Sequence, residues 1–227
     1  MQYTTVRRLI NCIVILVVAI CFCVGCDSNQ RELPTDAAGN VIDVAMPAEK
    51  AKEQIVFTMG DSCVCLDEVR YYLYNTQATY EAFYAAENKT LDWNSAMSKS
   101  DIAENVTLAE AVKSTVYNSI CERECFAKYA LEHGILLTDE EMEEVRQKQQ
   151  NFHKQSGEKI LERISVEEER LVEIYAKDAL AKKVMEYIDN QLGDNSQDVY
   201  KKWKNENNIT ANLYWSELNF NTPIFGE

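Results

Sequence analysis

The chain has 227 residues, the size of one large domain or two small ones, and sets 23 Lys and Arg against 37 Asp and Glu for a net charge of −14. Arg7 and Arg8 are the only charged residues of the first 25, so the remainder carries −16. That excludes the clustered basic surface of a nucleic-acid binder and charge-driven adsorption to an anionic membrane; 7 Gly, 3 Pro and 2 His speak against a turn-rich all-β fold, disorder throughout and a His-based metalloenzyme, leaving a largely helical chain.

Behind Arg7 and Arg8, residues 12–24 form an uninterrupted apolar run of 13 residues. A spanning helix needs roughly 20, while about 7–15 suits a secretory core. The run ends in Cys23-Val24-Gly25-Cys26 and meets the polar Asp27-Ser28-Asn29-Gln30 at once. This resembles the lipobox of bacterial lipoproteins, in which a small residue precedes a cysteine that becomes the lipidated first residue. The resemblance implies a signal peptide over 1–25 and lipidation at Cys26, which gives the two acyl chains that stable anchoring requires. The alternative is an uncleaved single-span anchor. Either way the Arg pair orients the segment so that the bulk of the chain lies outside the cytoplasm. Residues 26–53 are polar, lack hydrophobic period and contain Pro34, Gly39 and Pro47, so they are expected as a flexible tether.

The folded domain is expected over 54–227. Ile55–Met59 reads as a short strand, Gly60-Asp61-Ser62 as a turn and Cys63–Leu66 as the returning strand. A helix follows over about 67–87. Val69, Tyr72, Leu73, Thr76, Tyr80, Phe83 and Tyr84 make one apolar face, and Tyr71, Tyr74 and Ala78 the opposite one. After a polar connection containing Trp93, three capping boxes announce helices: Thr107 with Glu110, Thr138 with Glu141, and Ser165 with Glu168. The first helix stops at Gly134, the second fades before Gly157 and the third ends near Gly193. Ser196 is expected to cap a last short helix. Beyond it Ile209, Ala211, Leu213 and Trp215 alternate, and Leu218 and Phe220 shift the parity, as a bulged strand of about a dozen residues would. Its natural partner is the strand pair over 54–66, so the two ends of the domain are expected to meet in a small sheet.

In this order the elements resemble the N-terminal chaperone domain of the SurA/PrsA family of extracytoplasmic foldases over roughly residues 54–205. Leu66-Asp67-Glu68-Val69-Arg70-Tyr71-Tyr72 looks like the family's entry into its first helix. Thr107–Lys113 followed by Cys125–Ile135 looks like its second helix, and Leu137–Met142 and Ile164–Glu168 look like the next two starts. Full-length members continue into a parvulin-type prolyl isomerase domain. Here 37 residues follow Asn190, which read as one helix and one strand without His; a separate domain that small rarely folds unaided. The resemblance therefore implies a mostly α fold and the chaperone half of a foldase without its enzyme half: a membrane-anchored binder of unfolded or newly exported polypeptides, with no cofactor. A degenerate or truncated prolyl isomerase, and an accessory lipoprotein that binds one folded partner, are the alternatives.

Aromatic residues make up 10% of the chain. Tyr71, Tyr74, Tyr80, Tyr84 and Trp93 are the candidate client-binding residues, since Tyr offers apolar area at low rotamer cost with a hydrogen-bonding tip; core packing is the other reading. The acids at the helix starts suit the positive end of the helix dipole, and no phosphate loop, nucleophile elbow or zinc-type His motif is present, so neither a catalytic residue nor a metal is assigned. Four cysteines remain beyond the lipobox. Cys63 and Cys65 share one face of a strand, and Cys121 and Cys125 are helical neighbours placed away from the Val112/Val116/Ala130 stripe. In an oxidising compartment a cross-link between the two pairs is expected, with a four-cysteine zinc site and four free thiols as the alternatives.

Overall fold

The computed structural model describes residues 33–96 and 106–225. The signal segment 1–25, Cys26 and the first tether residues lie outside that range. Within it the protein is mostly helical with one small antiparallel sheet, and no described helix is long and apolar enough to cross a membrane.

A one-turn helix α1 (Ala48–Ala51) starts after Pro47 and leads into the hairpin β1 (Ile55–Met59) and β2 (Ser62–Cys65). Gly60 makes the turn at φ +60; a Cβ there would sit 2.6 Å from Asn207 Oδ1, so both the backbone and the space ask for glycine. The long helix α2 (Leu66–Ala86) follows directly from β2. The helix α3 (Leu108–His133) opens with a complete capping box between Thr107 and Glu110 and closes at Gly134 in the left-handed conformation. The same device between Thr138 and Glu141 starts α4 (Asp139–Gln155). Then come α5 (Glu158–Ile164), α6 (Glu168–Tyr187), a π-turn (Ile188–Leu192) ending at Gly193, and α7 (Ser196–Glu206) capped by the Asn195 side chain. Then follow β3 (Ile209–Ala211), α8 (Leu213–Glu217) and an irregular, bent segment over 218–225.

The sheet order is β2-β1-β3, both pairs antiparallel. Phe57 lies opposite Val64 on one side and Ala211 on the other, and Met59 opposite Ser62 and Ile209, with an irregularity between Ile55 and Phe57. The sheet sends Val56, Val64, Phe57 and Met59 out of water. Two apolar clusters hold the body. The larger joins the sheet, α2, the first half of α3, α5, the start of α6 and the tail; the smaller joins Cys125, Phe126 and Ala130 of α3 to Ala181, Val184 and Ile188. Each buried Leu, Ile or Phe in them contributes about 1.5–3 kcal/mol.

Four expectations from the sequence are corrected. The tail strand stops after three residues. Asn212 caps α8 by accepting from the Tyr214 N–H, so Leu213 and Trp215 belong to a helix and the alternation there is coincidental. Ser165 is not an N-cap. It sits at φ 46 as the left-handed end of α5, because burying Ile160 and Ile164 demands an extra short helix, and Glu167 takes the N-cap place of α6 without a side-chain bond. The tether does not run to residue 53: Ile42 and Ala51 are buried, and the Arg70 guanidinium, itself buried, donates to Val44 O and to Met46 O at 2.7 Å and to Ser165 O at 2.7 Å. Irregular backbone there supplies the carbonyls a buried guanidinium needs. Phe83, placed on the apolar face of α2, is 47% exposed, because α2 outruns its partners in its last turn.

Candidate peptide-binding groove

Tyr74, Gln77, Ala78 and Glu81 fall on one stripe of α2 at i, i+3, i+4 and i+7, and all four are buried. Residues 218–225, an irregular segment with bends at Phe220, Thr222, Ile224 and Phe225, meet two of them, Gln77 and Glu81, while Tyr74 lies beneath Arg163; Leu218, Phe220 and Ile224 are buried and Asn219, Asn221, Thr222 and Pro223 stay exposed. The groove has a second wall. The first turn of α3 donates Ala109 N–H to Trp93 O and Leu108 N–H to Ser95 O, which holds the 91–96 loop in place. Trp93 then stacks on Phe220 with centroids 4.2 Å apart and meets Tyr80 at 5.8 Å.

The polar contacts across the groove all go to main-chain atoms of residues 215–225. Lys113 Nζ donates to Trp215 O and to Leu218 O, each at 2.7 Å. Arg163 reaches Asn219 O at 3.5 Å while its guanidinium lies over the Tyr74 ring. Gln77 Nε2 donates to Thr222 O at 2.9 Å and to Glu81 Oε1 at 2.7 Å. Glu81 Oε2 accepts from Ile224 N–H at 2.7 Å and Phe225 N–H at 2.8 Å. Charged partners make these bonds stronger than neutral ones. Burial pulls the Lys113 ammonium below its usual pKa, and Glu217 opposes that pull. Two polar atoms of the groove are unspent: Gln77 Oε1 and Arg163 Nε are buried with no partner. Chemically the site hydrogen-bonds a peptide backbone and packs apolar side chains.

Of the sequence candidates, Tyr80 and Trp93 line this groove. Tyr71 and Tyr74 do not offer surface: both are buried, Tyr71 in edge contacts with Tyr72, Phe152 and Tyr175, Tyr74 beneath Arg163. Burial pushes both hydroxyls above their usual pKa. Tyr84 is half-buried and meets the exposed Phe83 edge-on. Gln77, Glu81, Lys113 and Arg163 were not legible as site residues. The one available signal was a polar pair, Gln77 and Glu81, inside an otherwise apolar helix stripe.

Cys63, Cys65, Cys121 and Cys125 stand in the structure as free thiols, the last of the three arrangements the sequence allowed. Cys63 and Cys65 do share the outer face of β2, opposite buried Val64. Cys121 and Cys125 are fully buried rather than on a polar face, because α3 has two covered sides, and Tyr200 and Trp203 of α7 pack near the second. Burial raises both thiols, Cys125 to about 12. No group of three or more His, Cys, Asp and Glu among the described residues is arranged to hold a metal ion.

An ionic lattice lies elsewhere, between α2, α3 and α6. Lys177 Nζ binds Glu68 Oε1 and Oε2 at 2.8 and 3.0 Å and also bonds Glu124; Arg170 binds Asp67 and Glu68 at 3.0 Å each. Next to it Arg123 pairs with Asp178, which accepts from the Tyr72 hydroxyl at 2.9 Å. Burial pushes the Glu68 carboxyl up against the pull of Lys177 and Arg170. Burial opposes the Lys177 charge, but Glu68 and Glu124 more than offset it and its pKa is raised. The Glu68 side chain is 1% exposed, so the centre of the lattice joins helices and is shut off from solvent.

Comparison with family models, with curated proteins and with solved structures finds no match.

Proposed function

We propose that the protein is a non-enzymatic chaperone of the extracytoplasmic space, held at the membrane by lipid on Cys26, that transiently binds extended stretches of unfolded or newly exported polypeptide. One observation carries this reading: four side chains, Gln77, Glu81, Lys113 and Arg163, hydrogen-bond main-chain atoms of residues 215–225, contacts that any peptide backbone can make, while apolar pockets beside them take side chains. The resemblance to the SurA/PrsA chaperone domain, whose fold class a mostly helical body with a small sheet suits, points the same way. The surplus of acid keeps such a domain soluble and disfavours acidic clients.

The test uses the full lipidated chain in detergent with several unrelated denatured proteins. Light scattering should show suppressed aggregation of each at near-stoichiometric amounts, and a proline tetrapeptide should isomerise no faster than without protein. Protection of a single client, or clear isomerase turnover, would overturn the proposal.

A further inference from the structure

The segment in the groove is itself informative. It contributes no strand to the sheet and no helix to the body. It is fastened as a bound peptide is, by apolar side chains in pockets and by backbone hydrogen bonds. Its buried positions are spaced Leu218-x-Phe220-x-x-x-Ile224, with polar or proline residues between them facing water. The aromatic position is specified by the Trp93 stack.

The groove also has a direction. At one end an ammonium, Lys113, takes carbonyl oxygens; at the other a carboxylate, Glu81, takes N–H groups. A peptide laid in reverse would present its groups in the wrong order along this pair. An acidic residue near the Glu81 end would set a second carboxylate beside the buried one. Beside the segment, Gln77 Oε1 is buried without a partner, an acceptor that the resident peptide leaves unused.

We infer that this groove is a peptide-binding site for irregular, non-acidic segments of the pattern aliphatic-x-aromatic-x-x-x-aliphatic, and that residues 218–225 are its resident occupant, which an incoming segment must displace. The inference rests on the chaperone reading and deepens it by naming the ligand class and the competitor. A donor carried by a better ligand, placed against Gln77 Oε1, supplies one bond the resident lacks. Displacement makes binding of a foreign segment weaker than the groove's intrinsic affinity by the fraction of time the resident is out.

The experiment uses the full chain and a fluorescein-labelled peptide of the sequence Leu218–Phe225, with blocked ends, followed by anisotropy. A control peptide has the same composition with Leu, Phe and Ile moved out of register. Phe220→Ser in the protein loosens the resident, and the peptide should then bind roughly ten-fold or more tighter than to the parent. The out-of-register peptide should not bind. Glu81→Gln added to Phe220→Ser should weaken the peptide roughly ten-fold by removing the charged acceptor. Equal binding of the two peptides, or equal affinity of parent and Phe220→Ser, overturns the inference. Should Phe220→Ser not fold, amide exchange on the parent decides: excess peptide should speed exchange at Ile224 and Phe225 and leave β1 unchanged, and unchanged exchange at those amides overturns it. Peptide binding without aggregation suppression removes the chaperone reading alone; aggregation suppression that survives Glu81→Gln while register preference is absent removes the groove alone.

Discussion

Replacing Lys177 by Met is the sharpest test of how the helices are held together. The ammonium is 21% exposed and stands between Glu68, 1% exposed, and Glu124, 8% exposed, so the substitution leaves two buried carboxylates facing each other with only Arg170 still on Glu68. Removing one partner of a buried ion pair costs about 3–5 kcal/mol, and the surviving Arg170 contact favours the lower figure. For a domain of this size that is a fall in Tm of about 6–12 °C. The pH dependence has a defined sign. Without Lys177 the folded-state pKa of Glu68, already raised by burial, stands further above its ordinary value of 4.5. As the pH falls through that raised value, the folded form takes up a proton that the unfolded form does not, and stability is gained. The deficit of the variant should therefore shrink as the pH is lowered from neutrality toward the ordinary carboxylate range, measured by circular dichroism during thermal or urea unfolding. Adding Glu68→Gln and Glu124→Gln to Lys177→Met should recover most of the loss, since uncharged side chains no longer demand a counter-charge. A loss below about 1 kcal/mol, or a deficit that grows on acidification, would refute the reasoning.

Two further outcomes follow from other parts of the chain. In the native protein Cys63 should alkylate within the time of mixing, while Cys121 and Cys125, buried and with raised pKa, should react only after denaturation; mass mapping that finds them modified at the rate of Cys63 would contradict the packing of α7 on α3. Cys26→Ala should leave an unprocessed precursor or release the domain from the membrane fraction, and unchanged fractionation with unchanged precursor size would remove the lipid anchor from the proposal.

What the sequence made legible was local chemistry. The boxes at Thr107 and Thr138 and the stop at Gly134 are short-range rules, and the structure obeys them. Ser165 obeys the same rule on paper and breaks it in space, since its left-handed backbone ends α5 and its carbonyl is claimed by Arg70 of α2, 95 residues earlier in the chain. The tail misled through its alternation: Asn212 is a capping signal directly after the strand, and alternation of Leu213 and Trp215 masked it. Cys121 and Cys125 looked polar-faced because one apolar stripe on α3 was assumed, whereas α6 and α7 demand a second. The groove was the least legible part. Gln77 and Glu81 meet their partners about 145 residues later in the chain, and no short-range pattern encodes a bond of that reach.

The placement of β1 in the middle of the sheet has a temporal consequence. Its neighbour β2 arrives almost at once, across a two-residue turn, but its other neighbour, β3, lies about 150 residues downstream. At a synthesis rate of roughly 5–20 residues per second, β1 waits about 8–30 s with Phe57, Thr58 and Met59 presenting an unpaired, apolar edge. The nascent chain thus carries its own sticky strand long before it can close on itself. The hairpin is kept short, the waiting edge is only three residues long, and six of the helices lie in the chain between the two strands that pair there. A chain interrupted anywhere before Ile209 would keep that edge open for good, so incomplete copies of this protein are expected to be the ones that stick to others.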